Sequence, residues 1–182
     1  MTSSDPAITT DRLTLRPYKD ADLAPFAALN ADPEVMEFLG GFGLSREESD
    51  EIAAGANASF ASDGYGKIAV ERREDGEFLG FCGLSREIWY PDDLEIGWRL
   101  ARAHWGHGYA TESARAWLAY AFDSLGVPRV IAIGDSPNLR SIAVMEKIGL
   151  TFDHAKRLTI GDDSFDARIY SITREHFRSL AR

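Results

Sequence analysis

The stretch His104-Trp105-Gly106-His107-Gly108-Tyr109-Ala110-Thr111 has the residue types and spacing to hold an anion. It lies between a strand-like run, Leu94 to Leu100, and a long amphipathic run, Tyr109 to Leu125, so its two glycines fall where a strand hands over to a helix. The first N–H groups of a helix have no internal partner and point outward at the positive end of the helix dipole, and glycines let the backbone approach a phosphate closely. Taken alone, Gly106 and Gly108 would serve a tight turn equally well. Two carboxylates are placed to take a proton. Glu95 sits between Leu94 and Ile96 in what should be a central strand, where burial raises a carboxyl pKa toward the working range; the alternative is a solvated continuation of Asp92-Asp93. Asp135 ends a short apolar run, where an ordinary turn carboxylate is the alternative. Cys82, between Phe81 and Gly83, reads as a small buried hydrophobe rather than an acyl carrier. His104 and His107 lack a third ligand at helical spacing, so no metal site is expected.

Elements positioning these residues must fit in 182 residues, the length of one domain with its own core. A single cysteine excludes an internal disulfide and any multi-cysteine zinc site. No apolar run approaches the ~20 residues of a membrane span, and Met1 to Thr10 lacks the basic and apolar blocks of a signal peptide, so a cytoplasmic location and no membrane partner are expected. A net charge of −9 argues against nucleic-acid binding, which needs a basic face, and suits an amine substrate better.

In chain order, residues 1–10 read as a flexible tail and Arg12 to Arg16 as a strand. A first helix carries Leu23, Phe26 and Leu29, capped by Asp20 or Asp22, with Pro25 acceptable only in its first turn. Asp32-Pro33-Glu34 restarts a helix, and Ser45 to Glu48 forms a capping box for another whose Ile52, Ala56 and Phe60 share the inner face; Gly64 to Gly66 ends it. Asp75-Gly76 marks a hairpin between Lys67–Arg72 and Glu77–Ser85. Gly97 inside the next strand implies a bulge or a close approach by another group. The helix from Tyr109 stops at Gly126, and Arg129 to Gly134 reads as a buried strand. A helix started by Ser136-Pro137 turns Leu139, Ile142, Met145 and Ile148 inward, and a hairpin around Gly161-Asp162-Asp163 and a short helix close the chain. This order gives an α/β fold with one mixed sheet and helices on both faces.

Five segments together match a known family in order and spacing: Arg12-Leu13-Thr14-Leu15-Arg16, Asn30 to Val35, Glu95-Ile96-Gly97-Trp98, Trp105 to Glu112, and Asn138-Leu139-Arg140-Ser141 through Glu146 to Leu150. Over about residues 10 to 173 the chain resembles the GNAT superfamily of N-acetyltransferases, and within it the ribosomal-protein alanine N-acetyltransferase branch. The resemblance implies a single domain over residues 1–182. It also implies a central, largely antiparallel sheet of about seven strands, splayed between the fourth and fifth main strands. It implies acetyl-CoA as donor, with no metal. The pyrophosphate would lie on the amides of His104, Trp105, Gly106, His107, Gly108, Tyr109, Ala110 and Thr111. The pantetheine arm would enter the splay and pair with backbone of Ile96, Gly97, Trp98, Arg99 and Leu100. One departure stands out: the Gln or Arg often found three residues before the first glycine is here Ala103, but the contact it represents is mostly main-chain.

Acetyl transfer to nitrogen needs a neutral amine, a stabilised oxyanion and a protonated leaving thiolate. A side-chain amine near pKa ~10.4, or an α-amine near ~7.7–8.0, must lose a proton as it attacks. Glu95 is the first candidate base, directly or through water, and Asp135 the second. A strand N–H near Trp98, freed by a bulge at Gly97, would meet the oxyanion. Where much of the superfamily carries a tyrosine this chain has Met145, so Ser141, which resembles the serine of the alanine-acetyltransferase branch, is the candidate at the sulfur; the alternative is a hydroxyl bonding its own helix. Asn138 resembles the asparagine that bonds the cofactor arm, a role compatible with capping the helix. His107, Arg102, Arg140 and Lys147 are available to the phosphates or are solvated charges. Trp89, Tyr90 and Tyr65 are candidates for the acceptor pocket, with the loops Phe38–Leu44 and Gly161–Phe165 deciding its shape. The acceptor is a small-molecule amine or a protein N-terminus, and a homodimer is in keeping with the family. A dinucleotide oxidoreductase is disfavoured because the third glycine position is Thr111, and a phosphate-loop ATPase because no Gly-Lys-Ser or Gly-Lys-Thr is present. A non-catalytic acetyl-CoA sensor on the same fold is the remaining alternative.

Overall fold

A computed structural model of the chain describes residues 8–180. One sheet of eight strands runs through it in the order β1-β2-β3-β4-β5-β6-β8-β7. The strands are β1 (Ile8–Thr9), β2 (Leu13–Arg16), β3 (Lys67–Arg72), β4 (Phe78–Glu87), β5 (Tyr90–Leu100), β6 (Arg129–Asp135), β7 (Thr151–Ile160) and β8 (Asp163–Thr173). The helices are α1 (Asp20–Ala31), α2 (Pro33–Met36), α3 (Arg46–Asp63), α4 (Tyr109–Asp123), α5 (Leu139–Lys147) and α6 (Arg174–Leu180). Every ladder is antiparallel except β5 with β6. The eighth strand is β1. Of the expected tail, residues 1–7 lie outside the described residues, whereas Ile8 and Thr9 pair with Leu15 and Thr14.

Alternation along each strand sorts the core into faces. Ile68, Val70, Leu13 and Leu15 join Trp117, Leu118 and Ala121 of α4 and Ile142 and Met145 of α5. Ala69 and Phe81 point the other way, onto Phe26 and Leu29 of α1, Val35 of α2 and Ala53 of α3. On that second face, beyond β5, Ile131, Leu158, Ala167 and Ile169 are covered by Trp89, Tyr90 and Phe165.

Several local expectations are corrected. The N-cap of α1 is Lys19, not Asp20 or Asp22. Asp22 receives the Lys19 N–H at 2.8 Å and also neutralises buried Arg16 at 2.5 Å, a charge that has to be paired to be buried. Pro25 lies beyond the first turn; it and Ala21, whose carbonyl loses its donor, are both exposed, so water can satisfy that carbonyl. Of the expected inner residues of α3, Ala56 and Phe60 pack against the core, but Ile52 is 44% exposed and its place is taken by Ser49 and Ala53. Asn138 caps α5 instead of Ser136, which leaves Leu139 at 70% exposure. The Ser45–Glu48 capping box and the αL Gly64 that ends α3 are as expected.

Trp117 is fully buried, and its indole N–H has no partner among the described residues. Trp117→Ala should therefore destabilise the protein by about 3–5 kcal/mol, whereas Trp117→Phe should lose much less because the donor it removes is unpaired. Urea titrations of the two variants check this ordering.

Candidate active site

Between β5 and β6 the ladder holds only at Leu94–Val130 and Glu95–Ile131. Beyond Glu95, β5 stays with β4 as far as Leu100 and β6 stays with β8 as far as Asp135, so the sheet splays between them. The Ala101 N–H bonds Leu79 O on the β4 side at 3.0 Å. Alternation then turns the backbone groups of Leu100, Trp98 and Ile96 toward the gap. The Leu100 carbonyl accepts from Trp105 Nε1 at 2.8 Å, which ties the turn to the edge of β5. No bulge occurs at Gly97. The β4–β5 register is regular from Gly80–Leu100 to Ser85–Glu95 and shifts only between Ser85 and Glu87. It is the splay that exposes the Trp98 edge.

At the mouth of the gap, Arg102–His104 form a 3₁₀ turn in which the His104 and Trp105 amides bond Ala101 O and Arg102 O. Those two amides are thereby engaged. Gly106 and Gly108 follow with φ of 80° and 81°, a region where a side chain is strained. Gly108 is the N-cap of α4, and with no side chain it leaves the first-turn amides of Tyr109, Ala110 and Thr111 without a capping group. The first bond closing the helix runs from Glu112 N–H to Gly108 O at 3.0 Å.

A cavity of about 670 Å³ opens beside these amides, lined by Thr10, Arg12, Gly108, Thr111, Arg115 and Lys147 among others. Asp11 and Glu112 line it too, and Arg12 is paired with Glu112, so Arg115 and Lys147 are the lining cations without an acid partner among the described residues, and beside uncapped amides they suit a phosphate. Arg12 also shapes the turn: its Nη1 donates to His107 O at 3.0 Å, and its Nε to Glu112 Oε2 at 2.6 Å. Glu112 Oε1 receives the Thr10 hydroxyl at 2.6 Å and the Arg12 N–H at 3.0 Å. Burial works to raise the Glu112 pKa, and these bonds outweigh it, so the carboxyl is held below its ordinary value. Of the other cations expected near the phosphates, Arg102 is committed to Asp32 and Glu34. Arg140 lies over the Trp105 ring at 4.0 Å and near Glu37 at 3.8 Å. His107 stacks on Tyr109, while His104 is buried and its pKa is pushed down by that burial. No group of three or more metal-ligating side chains occurs among the described residues.

On the face of the sheet that carries α1 to α3, Glu95 is 7% exposed. Its Oε2 lies 2.9 Å from Lys67 Nζ and 3.3 Å from the Ser85 hydroxyl. Lys67 also reaches Glu87 at 3.2 Å. Burial disfavours the ammonium, but Glu95 and Glu87 more than compensate and raise its pKa. Trp89 and Tyr90 flank this face, tied to the β7–β8 hairpin through Trp89 Nε1 to Thr159 O at 3.1 Å and Tyr90 Oη to His154 Nε2 at 2.8 Å. Tyr65 packs into the core on the opposite face and does not join them. Asp135 ends β6 half-buried, with no ion pair among the described residues.

At the start of α5, Asn138 Oδ1 receives the Ser141 N–H at 3.1 Å, and the Ser141 hydroxyl makes no bond to its helix among the described residues. Met145 is buried, with its methyl filling the space left by Gly134. Cys82 is buried, and that burial pushes its thiol up to about 12, which removes it as an acyl carrier. The residues missed in the sequence are Lys67, Ser85 and Glu87 around Glu95, and Arg12 and Arg115 at the cavity. The Asp75-Gly76 turn signalled the β3–β4 pairing that places Lys67, but the reach of a lysine across two further strands has no sequence signature.

The pattern of an Acetyltransferase (GNAT) domain matches residues 12–151. An uncharacterised Bacillus subtilis protein, YkkB, is 38% identical over 82% of this chain and 88% of its own. The FsC-acetyl coenzyme A-N(2)-transacetylase of Aspergillus fumigatus is 32% identical over 98% of this chain and 81% of its own. The crystal structure of an acetyltransferase from Agrobacterium tumefaciens superposes with a TM-score of 0.78 at 31% identity, covering 94% of this chain and 96% of that one. The domain match over residues 12–151 and the relatives above identify an acyl-CoA-dependent transferase. The chain belongs to the GNAT acetyltransferase family, whose donor is acetyl-CoA.

The Thr10–Arg12–Glu112 cluster generates a pH prediction. Because the folded pKa of Glu112 is depressed, its stabilising contribution is complete above the unfolded value of ~4.3 and is lost as pH falls through the folded value. Glu112→Gln should thus lower the urea midpoint at pH 7, and the gap to wild type should close as the pH drops below that value.

Proposed function

We propose that the protein transfers the acetyl group of acetyl-CoA directly to a primary amine, carried by a small molecule or by a protein N-terminus. The observation that carries this reading is Glu95, a carboxylate buried at the last residue of β5 still paired with β6, one position before the strand edge opens. An acceptor amine approaching from the α1–α3 face would give its proton to Glu95, directly or through a water. The attacked carbonyl oxygen would find the Trp98 N–H, and a fixed donor aimed at developing charge is the usual source of the largest rate gain. Ser141, whose hydroxyl is left free while its amide is capped by Asn138, would protonate the departing thiolate. Asn138 would hold the arm of the donor.

Backbone of Ile96 to Leu100 would pair with the pantetheine arm, with the groups of Ile96 and Trp98 the ones turned to the gap. The glycine turn and α4 amides, together with Arg12, Arg115 and Lys147, would hold the phosphates. The Aspergillus relative's name specifies transfer from acetyl coenzyme A to a nitrogen, which supports an amine acceptor. The likeness to the ribosomal-protein alanine branch supports testing peptides that begin with alanine or serine. Aromatic Trp89 and Tyr90 and the exposed Leu39 and Phe42 of the 38–44 loop supply apolar wall for either acceptor.

Thiol release from acetyl-CoA, measured against a panel of small amines and alanine- or serine-initiated peptides, tests the reading; binding of acetyl-CoA with no release on any acceptor would favour a sensor. Within an active pair, Glu95→Gln should lower kcat by roughly 10²-fold or more, and should abolish the acid limb of the pH–rate profile while leaving acetyl-CoA affinity intact. Gly108→Val should weaken acetyl-CoA binding by about tenfold or more, since it forces a β-branched residue to φ 81° and places bulk beside the amides. Calorimetric titration reads the second effect; undiminished affinity would place the phosphates elsewhere.

A further inference from the structure

One feature of the acceptor-side face is built across three strands. The ladders align Lys67 of β3 with Gly83 of β4, and Gly83 with Gly97 of β5, in a single cross-strand row. Gly83 admits the β3 backbone, since a Cβ on it would strike Gly66 O at 1.8 Å, and Gly97 leaves room for the lysine side chain. A Cβ on Gly97 would stand 2.9 Å from Lys67 Cε and 3.2 Å from both Lys67 Nζ and Glu95 Oε2. Over this glycine the lysine brings its ammonium from two strands away to the Glu95 carboxylate at 2.9 Å.

We propose that Lys67 is a positioning residue for Glu95: its ammonium holds Oε2 and so leaves Oε1 to the acceptor amine. This rests on the assignment of Glu95 as the proton acceptor. Among the described residues the ion pair of Glu95 falls on Oε2, while the Ser85 hydroxyl, 3.3 Å from that oxygen, gives its proton to Glu87 Oε1 at 2.7 Å. A carboxylate fixed at one oxygen keeps a single orientation, which a base acting over hydrogen-bond distances requires.

The charge of Lys67 has a second effect. Around Glu95 the titratable groups are Lys67 on β3, Glu87 and the buried Cys82 on β4, and Asp93 and Arg99 on its own strand; β6 presents Ile131 beside it and Asp135 farther along. Asp93 is paired with Arg129, and Arg99 is turned to Asn30. Lys67 is thus the one cation in contact with the carboxylate, and it also separates Glu95 from Glu87. Taking the ammonium away removes an attraction and uncovers a repulsion between like charges. Both make the ionised carboxylate harder to form, so the pH below which the base is protonated moves up.

The test is the pH dependence of kcat/KM with an accepted amine for wild type, Lys67→Met, Lys67→Arg and Gly97→Ala. Lys67→Met should move the acid limb upward by about one unit or more, the range for loss of one adjacent opposite charge. Lys67→Arg, which keeps the charge, should leave the limb near its wild-type position. Gly97→Ala leaves every charge in place and crowds the contact between Lys67 and Glu95 Oε2, so it should reproduce part of the Lys67→Met shift and keeps the proposal testable if Lys67→Met does not fold. An acid limb that stays put in both Lys67→Met and Gly97→Ala overturns the role. Failure of the wider reading looks different: wild type itself would acetylate no amine, or Glu95→Gln would retain the acid limb.

Discussion

The ladder between β5 and β6 ends after two residue pairs, and the rest of the molecule is arranged around that ending. A sheet edge exposed inside a domain leaves backbone donors and acceptors without partners, which folded proteins rarely permit. Here one apolar core underlies both halves of the sheet: residues of β2 to β5, of β6 and of β8 pack in a single cluster with Trp117 and Leu118 of α4 and Ile142 and Met145 of α5. That shared core, and not a continued ladder, holds the two halves on either side of the gap. Arg140, on the first turn of α5, crosses to Trp105 in the glycine turn and is the contact seen spanning its mouth.

That division explains why the chemical groups divide as they do. Groups turned into the gap are backbone, at Ile96 and Trp98, and they suit an amide-bearing chain that continues a strand. Groups on the α1–α3 face are ionic, with Glu95 at the point where pairing stops. Groups at the mouth are helix amides and cations. One strand, β5, therefore supplies two kinds of contact from two of its surfaces, and a shift of one residue in its register would exchange the buried carboxylate for an apolar side chain. The regular β4–β5 ladder from Gly80–Leu100 to Ser85–Glu95 guards against that shift.

Much of this was legible in the sequence where the determinants are local. Glycines at the strand-to-helix junction, the Ser45–Glu48 box, Asp32 ahead of Pro33 and the Asp75-Gly76 turn each act within a few residues, and each forms as read. Reading failed where a distant partner took over a local group. Asp22 looked like a cap, but buried Arg16 requires its carboxylate. Gly97 left open a bulge or a close approach by another group, and the second holds, with the approaching group a lysine from β3 that no local signal named. Ile52 looked like an inner residue of α3, yet the small side chains of Ser49 and Ala53 let that helix sit close. Asn138 was read as compatible with capping its helix, and it does so by accepting the Ser141 N–H.

Charge shows the same contrast between a total and a place. A chain of net charge −9 nevertheless gathers Arg12, Arg115 and Lys147 around one cavity, and Arg72 and Arg73 line the smaller one next to it. The acidic excess lies elsewhere, on α2, α3 and the loops, and over distances beyond a Debye length of about 8 Å it is screened from that cavity. A phosphate arriving at α4 meets amides, Arg115 and Lys147, while Glu112, one of two acids on that lining with Asp11, is paired with Arg12. The overall charge therefore describes how the molecule behaves in bulk solution, and the local arrangement at α4 decides what it can hold.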